Sequence, residues 1–312
     1  MSGDTFSNTI GRERGTEIFG GRDRAPRQAR PAKTIKEAAR ETPVIAETDV
    51  LVVGGGPSGT AAAISAGRLG ADVMLVERYN HLGGLSTGGL VIWIDRMSDW
   101  SGRQVIAGIA QELMDRLPED AIQGPPRTDW GSADTATAAY WAQRTAAFHG
   151  ITTWSPTVDP EALKSLSMQM ALEQKVRLTF HTYAVEAIVE DGAMKGAIFE
   201  NKEGRQAILA KVVVDTTGDA DLLARAGLLF ETDSDPADIH SCINTAFMIG
   251  GVDMERWLAF RANEEQAFKD FMDRGRERLK YFEKPFVSWR NDIALFMGPR
   301  LAGYSAIDVE DL

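Results

Sequence analysis

The sequence has one cysteine, no long apolar run and no excess of positive charge. Cys242 stands alone among 312 residues, so it can form no internal disulfide and no cysteine-based zinc or iron–sulfur site. No stretch approaches the roughly 18 consecutive apolar residues of a membrane-spanning helix, and no apolar segment follows the charged N-terminus as in a secretory signal. We therefore expect a cytoplasmic protein with no membrane span and no metal centre.

Acidic residues outnumber basic ones. The chain carries 34 Lys and Arg against 45 Asp and Glu, a formal net charge of −11 at pH 7. A broad basic face for phosphate backbones is not expected, which excludes nucleic acid as a partner. Residues 1–47 differ, with nine basic and seven acidic residues and few large apolar ones. We interpret them as an N-terminal arm without a core of its own, with a docking tail as the alternative.

From Thr48 the sequence has the pattern of a buried parallel sheet. Residues 49–53 form an apolar run that ends at glycines, residues 60–69 are rich in alanine and other small residues, and residues 71–77 form a second apolar run. Strand, turn, helix and strand within about thirty residues are typical of a βαβ unit. The sequence therefore predicts an α/β fold with a Rossmann-like domain.

Further elements are expected beyond this unit. An apolar stripe predicts a helix from Gln104 to Leu117. Residues 119–156 have no sustained period and are interpreted as part of a loop-bearing insertion that covers about 91–156. Asp159-Pro160-Glu161 is typical of a helix start, and this helix is expected to reach about Gln174.

The remaining pattern is a run of strands followed by helix. β-rich segments at 176–189, 194–200 and 206–215 are separated by turn sequences and predict a β-meander. A charged helix is expected around 254–281. With short apolar runs on either side, the last eighty residues predict a separate α+β layer.

A dinucleotide fingerprint follows the first predicted strand. The pattern G-x-G-x-x-G is present in Gly54-Gly55-Gly56-Pro57-Ser58-Gly59. In this pattern the first glycine permits the tight turn, the second lets backbone approach a diphosphate, and the third lets helix and strand pack closely. Glu77 follows 23 residues after Gly54, where a carboxylate accepts hydrogen bonds from ribose and disfavours NADP. A solvated acid at a strand end is the alternative, and the fingerprint alone does not separate NAD from FAD.

A second glycine-rich loop occupies residues 78–89. Together with the fingerprint, the run from Ile45 to Gly89 resembles the FAD-dependent oxidoreductases of the glutathione-reductase-like superfamily, in the fumarate-reductase-like branch. The resemblance implies FAD as cofactor. It implies that FAD is held at the positions of Gly54, Gly56, Ser58, Gly59, Glu77, Arg78, Gly84 and Thr87.

Residues 212–221 resemble the second flavin motif of the same family. Here an apolar strand breaks at a Thr-Thr-Gly turn before an acidic helix start, about 160 residues after the fingerprint. We expect Gly218 and Asp219 to contact the cofactor. The resemblance further implies that Val185 offers its backbone to the adenine.

The resemblance also guides the division of the chain. We predict an arm at 1–47, an FAD-binding domain at 48–232 and a partial substrate domain at 233–312. Family members continue past an Asp-Leu like Asp311-Leu312 into a segment that returns to the flavin. We rank first that the chain is a fragment. A second chain that completes the site, or a weakly held flavin, are the alternatives, so a homo-oligomer or a partner subunit is possible.

Three residues are candidates for the reaction itself. His240 is placed at the predicted seam between the modules, where a histidine can transfer a proton near neutral pH. Arg300 and Tyr304 could bind a carboxylate and donate a proton, with an ion pair to an acid as the alternative for the arginine. A packing role is the alternative for His240.

Other residues near the motifs are weaker candidates. His81 lies beside the second glycine loop, where we expect an ordinary loop contact, with covalent attachment of flavin as the alternative. His149 is interpreted as structural and His181 as part of a meander strand. Trp93, Asp95 and Arg96 are further candidates for the pocket wall, with a core position as the alternative for Trp93. Cys242 has no C-x-x-C partner, which argues against disulfide reduction.

The residues and the resemblance together predict an FAD-dependent oxidoreductase. It would transfer a hydride equivalent between a small organic substrate and flavin. An NAD-binding dehydrogenase, or a non-catalytic subunit with the FAD fold, are the alternatives.

Overall fold

A computed structural model of the protein describes residues 35–230, 243–279, 284–298 and 300–301. The chain divides into two units. The first unit comprises Ala38–Phe230 and Val287–Asn291. The second unit contains the described residues of Met1–Glu37, Glu231–Phe286 and Asp292–Leu312.

The described strands and helices follow one another along both units. The strands are β1 (Val44–Val53), β2 (Val73–Val76), β3 (Ile122–Gln123), β4 (Ala147–Phe148), β5 (Ile151–Thr152), β6 (Thr157–Val158), β7 (Arg177–Thr179), β8 (Tyr183–Glu190), β9 (Ala193–Asn201), β10 (Gly204–Asp215), β11 (Ile243–Asn244), β12 (Phe247–Gly250), β13 (Phe286–Val287), β14 (Ile293–Phe296) and β15 (Arg300–Leu301). The α-helices are α1 (Pro57–Arg68), α2 (Ile109–Arg116), α3 (Thr135–Gln143), α4 (Pro160–Glu173), α5 (Asp221–Arg225), α6 (Met254–Asn263) and α7 (Glu265–Leu279). Among these described helices, none has the length and apolar character needed to cross a membrane.

The first unit is built on a six-stranded sheet with the order β7-β2-β1-β10-β9-β8. The strands β7, β2, β1 and β10 are parallel, whereas β10, β9 and β8 form an antiparallel meander. β10 belongs to both halves, because its first residues pair with β9 and its later residues pair with β1. The predicted α/β class, with a parallel Rossmann-like sheet and a meander, is confirmed.

The parallel strands are buried on both faces. Leu51 and Val53 of β1 pack with Met74 and Val76 of β2 in one core cluster. The side chains that alternate with them are also fully buried, since α1 contacts both strands on the other face. Continuous apolar runs are the sequence pattern of such strands. β1 begins at Val44 rather than at Thr48, so the sheet reaches into the segment expected to be arm.

The predicted strand at 176–189 is two strands. β7 pairs parallel to β2 at the sheet edge, whereas β8 pairs antiparallel to β9 at the opposite edge. The chain leaves β7 at a bend where His181 has a φ of 53°. The expectation that His181 lies within a meander strand is therefore wrong, because a left-handed residue ends a β-strand.

Two predicted helices have different bounds. The apolar stripe begins at Gln104, but the helix begins only at Ile109. Gly108, just before it, has a φ of 63°, which is not helical. The helix expected at 254–281 is two helices, α6 and α7, which meet at Glu264. The helix predicted after Asp159 is confirmed, and the Asp159 side chain accepts hydrogen bonds from the N–H groups of its first turn.

The insertion (residues 91–156) contains short elements rather than loop alone. β4 and β5 form a hairpin against α3, where Ala138, Trp141, Ala146 and Ala147 make a small core cluster. The second unit carries a sheet with the order β12-β14-β13 and a short pair of β11 with β15. Its helices α6 and α7 share a cluster of aromatic rings around Trp257.

Candidate functional site

Three parallel strands end at one edge of the sheet, and a turn follows each. Gly54 follows β1, Glu77 follows β2 and Thr216 follows β10. The carboxyl ends of parallel strands meet at the same edge, which is where open α/β sheets bind ligands. The two glycine turns lie against each other, since Thr216 Oγ1 is 2.7 Å from the carbonyl oxygen of Gly54.

The first turn needs glycine for two separate reasons. Gly54 has a φ of 102°, and a Cβ there would overlap the carbonyl of Thr216. Gly59 is packed as closely, because a Cβ there would overlap the Gly54 carbonyl. Gly56 is different, as a Cβ there would meet no atom within 4 Å. The space beside Gly56 is therefore open to a ligand that approaches the backbone.

Helix α1 begins at this turn with uncapped N–H groups. Its N-cap is Gly56, which has no side chain to accept a hydrogen bond, and Pro57 is its first residue. The first N–H groups of a helix have no intrahelical partner and favour anions. The start of this 12-residue helix is suited to bind a diphosphate through backbone.

The Glu77 side chain makes hydrogen bonds to the backbone of the turns after β1 and β2. Its carboxylate is nearly buried, and its oxygens accept hydrogen bonds from the N–H of Gly55 at 2.5 Å and of Tyr79 at 2.8 Å. A carboxylate can accept about four hydrogen bonds. The two backbone contacts leave two of these acceptor positions, and the contact with a ribose that the sequence suggests stays a prediction.

The second glycine loop lies on the first turn. Gly83 donates its N–H to the carbonyl of Gly55 at 2.8 Å. Thr87 is fully buried, and its hydroxyl donates to the Leu82 carbonyl at 2.8 Å. Thr87 therefore fixes the loop from within and does not face the cleft.

The second turn is organised by a carboxylate that sequence analysis missed. Asp215 ends β10 and accepts hydrogen bonds from the N–H groups of Thr217, Leu222 and Leu223. An Asp whose side chain accepts from the N–H two residues later is a known turn signal, so the Asp-x-Thr spacing could have indicated it. Thr216 was missed as well, because its role depends on a contact with Gly54.

These turns surround a cleft of about 650 Å³ that lies wholly within the first unit. Eight of the eleven residues expected to bind the cofactor line it, whereas Gly59, Thr87 and Val185 do not. Val185 is the extra residue at a register shift in the edge strand β8, beside the lining residues Tyr183 and Ala184. The lining residues expected from the sequence are Gly54, Gly56, Ser58, Glu77, Arg78, Gly84, Gly218 and Asp219.

The charge of the cleft wall is mainly negative. Arg78 is the single Lys or Arg among the lining residues, against Glu77, Asp219 and Asp221. A diphosphate in this cleft must therefore be held chiefly by backbone N–H groups, since side-chain cations are few.

His81 also lines the cleft. Its ring stacks on Tyr79 with centroids 5.9 Å apart, and its Nδ1 lies 2.7 Å from the Asn80 side-chain oxygen. Burial is the main cause that lowers the pKa of His81, with a smaller contribution from Lys164. Nε2 is buried without a hydrogen-bond partner. Covalent attachment of flavin to this residue stays a prediction.

The predicted catalytic residues lie largely beyond what the structure describes. His240 and Tyr304, like Cys242, are outside the described residues. Arg300 is described only as backbone, where it pairs with Asn244 between β15 and β11. The roles of these three candidates stay predictions.

The residues after the second glycine loop do not reach the cleft wall. Trp93 donates its indole N–H to the Thr145 carbonyl at 3.0 Å. Arg96 forms an ion pair with Asp95 at 3.2 Å and lies over the ring of Phe148. Trp93, Asp95 and Arg96 are not among the residues that line this cleft, and their place in a substrate pocket stays a prediction. Burial, opposed by Arg96, raises the pKa of Asp95.

Comparison with known proteins supports the same cofactor class. The sequence profile of the family described as FAD dependent oxidoreductase matches residues 49–298. Digeranylgeranylglycerophospholipid reductase 2 of Methanothermobacter thermautotrophicus is 27% identical over 213 residues, which are 66% of this chain and 48% of that protein. Digeranylgeranylglycerophospholipid reductase of Methanosarcina acetivorans is 25% identical over 218 residues, 66% of this chain and 46% of that protein.

The chain is also similar to a solved structure at lower sequence identity. A geranylgeranyl bacteriochlorophyll reductase-like protein from Thermoplasma acidophilum has a TM-score of 0.44 and 18% sequence identity, over 67% of this chain and 48% of that one. The chain spans about half the length of the curated relatives it matches.

Proposed function

Because this chain belongs to the family of FAD dependent oxidoreductases, we propose that the whole protein transfers a hydride equivalent between a small organic substrate and FAD bound in the cleft of the first unit. The observation that supports this site most directly is that two turns about 160 residues apart in sequence meet in one cleft. When bound, FAD supplies the ring system that accepts or donates the hydride equivalent.

We propose distinct roles for the residues around the cleft. The N–H groups at the start of α1, beside Gly56, bind the diphosphate. Glu77 accepts hydrogen bonds from the adenosine ribose with its two remaining lone pairs. Gly84, Gly218 and Asp219 complete the wall, and Val185 offers its backbone to the adenine from the bulge in β8.

We further propose that the first unit is the FAD-binding domain and that the second unit is part of a substrate domain. His240 is the proposed proton-transfer residue, with Arg300 and Tyr304 at the substrate. Cytoplasmic location and association with a partner subunit or a second copy are proposed with them.

The substitution Gly56→Ala tests the cofactor site. Its methyl group would extend into open space at an ordinary φ of −64°, so the fold should tolerate it. The same methyl would obstruct a diphosphate that approaches the backbone, and we expect FAD to bind about tenfold or more weakly. Flavin absorbance of the purified protein and FAD titration by tryptophan fluorescence measure this.

Gly250→Ala is the matched control. It also adds a methyl group to open space, but Gly250 does not line the cleft. Equal FAD affinity in the two variants would contradict the proposed diphosphate site. A wild-type protein that neither carries nor takes up FAD would contradict the proposed function as a whole.

A further inference from the structure

Arg144 is a buried cation outside the dinucleotide cleft. It follows α3 in the insertion and retains only 7% of its accessible surface. Its guanidinium carbon lies 4.0 Å from the centroid of the Tyr140 ring, and its Nε is buried without a hydrogen-bond partner. Within the residues that the structure describes, no carboxylate forms an ion pair with it. Buried arginines are nearly always paired, since an uncompensated charge in the interior is costly.

A second unsatisfied polar group lies in the same insertion. Thr152 is fully buried, and its hydroxyl has no hydrogen-bond partner among the described residues. It pairs directly with Ala147 across the β4–β5 hairpin, so the two side chains share a face. Ala147 packs with Trp141 of α3, and the Trp141 ring contacts Tyr140. The insertion therefore contains two hydrogen-bond donors whose partner the described chain does not supply.

This region is tied to the segment that leaves the cofactor loop. Trp93 donates its indole N–H to the carbonyl of Thr145, the residue after Arg144, and its ring lies 6.0 Å from that of Phe148. Thr145 has a φ of 63°, and His149 one of 50°. Both belong to local turns, since Thr145 follows the C-cap of α3 and His149 begins the two-residue turn of the β4–β5 hairpin.

The single positive charge of Arg144 favours a carboxylate over a phosphate as its ligand. One guanidinium neutralises one negative charge, whereas a phosphate carries about −1.5 to −2 at pH 7. The planar fork of arginine matches the two oxygens of a carboxylate. On the premise of the proposed function, we propose that Arg144 binds the carboxylate group of the substrate and that Thr152 donates a further hydrogen bond to it.

The Tyr140 ring covers one face of the guanidinium, and Tyr140 is itself 48% exposed. The proposal therefore requires this one side chain to move when a small carboxylate binds. Arg300, for which the sequence also suggests a carboxylate, belongs to the second unit.

Acetate is the probe that tests the proposal. The full chain is titrated with sodium acetate against sodium chloride at constant ionic strength, and thermal midpoint and tryptophan fluorescence are followed. We expect acetate to raise the midpoint of the wild-type protein and Arg144→Met to weaken the acetate response at least about tenfold. Arg144→Lys, which keeps the charge but loses the fork, should give an intermediate response.

Arg127→Met is the matched control. Arg127 also lies over an aromatic ring, that of Trp130, but it is exposed, so its loss should leave the acetate response unchanged. An acetate response that is absent in wild type or persists in Arg144→Met would overturn the proposal. Flavin absorbance of the wild-type samples tests the proposed function separately.

Discussion

Glu77 and Asp215 each follow or end a parallel strand, and both use their carboxylates on backbone. Glu77 binds the N–H groups of Gly55 and Tyr79, and Asp215 binds those of Thr217, Leu222 and Leu223. Such contacts fix the turns before a ligand arrives, which lowers the ordering cost of binding. The acidic residues at the strand ends therefore shape the cleft.

Glu77→Gln tests this role at the scale of one residue. An amide keeps one acceptor oxygen and places an NH₂ group against a backbone donor, so one buried hydrogen bond is lost. We expect the free energy of unfolding to fall by about 1–3 kcal/mol and FAD affinity to fall with it. Urea denaturation and FAD titration measure the two effects.

The exposed Glu190, at the end of β8 in the same sheet, provides the control substitution Glu190→Gln. It should change neither quantity. If Glu77→Gln behaves as Glu190→Gln does, the Gly55 and Tyr79 contacts do not support the turn.

At the scale of elements, helices α2 and α4 are joined by an ion pair. Arg116 near the end of α2 donates to both carboxylate oxygens of Glu173 at the end of α4, at 2.6 and 2.8 Å. The Arg116 hydrogen bonds, followed by one from Gln169, lower the pKa of Glu173 from 4.5 to about 2. Because the pair is exposed, its contribution is screened by solvent and salt.

A pH dependence follows from this shift. The folded-state pKa lies below the unfolded value, so the pair stabilises the fold above about pH 4.5, and this contribution is lost as the pH falls towards 2. We expect the difference in thermal midpoint between wild type and Glu173→Gln to shrink over this range and with added salt. Arg116→Met should show the same trend. A difference that is constant with pH would contradict the pairing.

At the scale of the whole molecule, FAD should raise the free energy of unfolding, because it binds the folded protein and not the unfolded chain. The cleft joins segments that are distant in sequence, so an unfolded chain has no such site. Free FAD at a hundred times its Kd should raise the free energy of unfolding by about 2.7 kcal/mol. Differential scanning calorimetry with FAD and NADH in parallel measures this. A larger shift with NADH would contradict the choice of FAD.

Several elements could be predicted from sequence, and others could not. The βαβ unit follows from apolar runs around a glycine turn, and α4 follows from the Asp-Pro-Glu start. The stripe before Ile109 has helical spacing, but Gly108 adopts a left-handed conformation there, which local periodicity does not reveal. The separation of β7 from β8 depends on which strand each of them pairs with. A run of residues that favour β-structure does not indicate its partner strand.

The sequence by itself determined the fold class and eight residues of the cleft wall, because glycine spacing and apolar runs are local requirements of a strand–turn–helix unit. FAD as the cofactor followed from the resemblance of residues 45–89 and 212–221 to a known family. Only the tertiary structure decided that Thr216 supports Gly54, that Thr87 faces inward, and that Trp93 turns away from the cleft towards Thr145. These contacts join residues from separate elements or depend on how a loop folds back, and packing chooses them among many alternatives that suit the local sequence equally well.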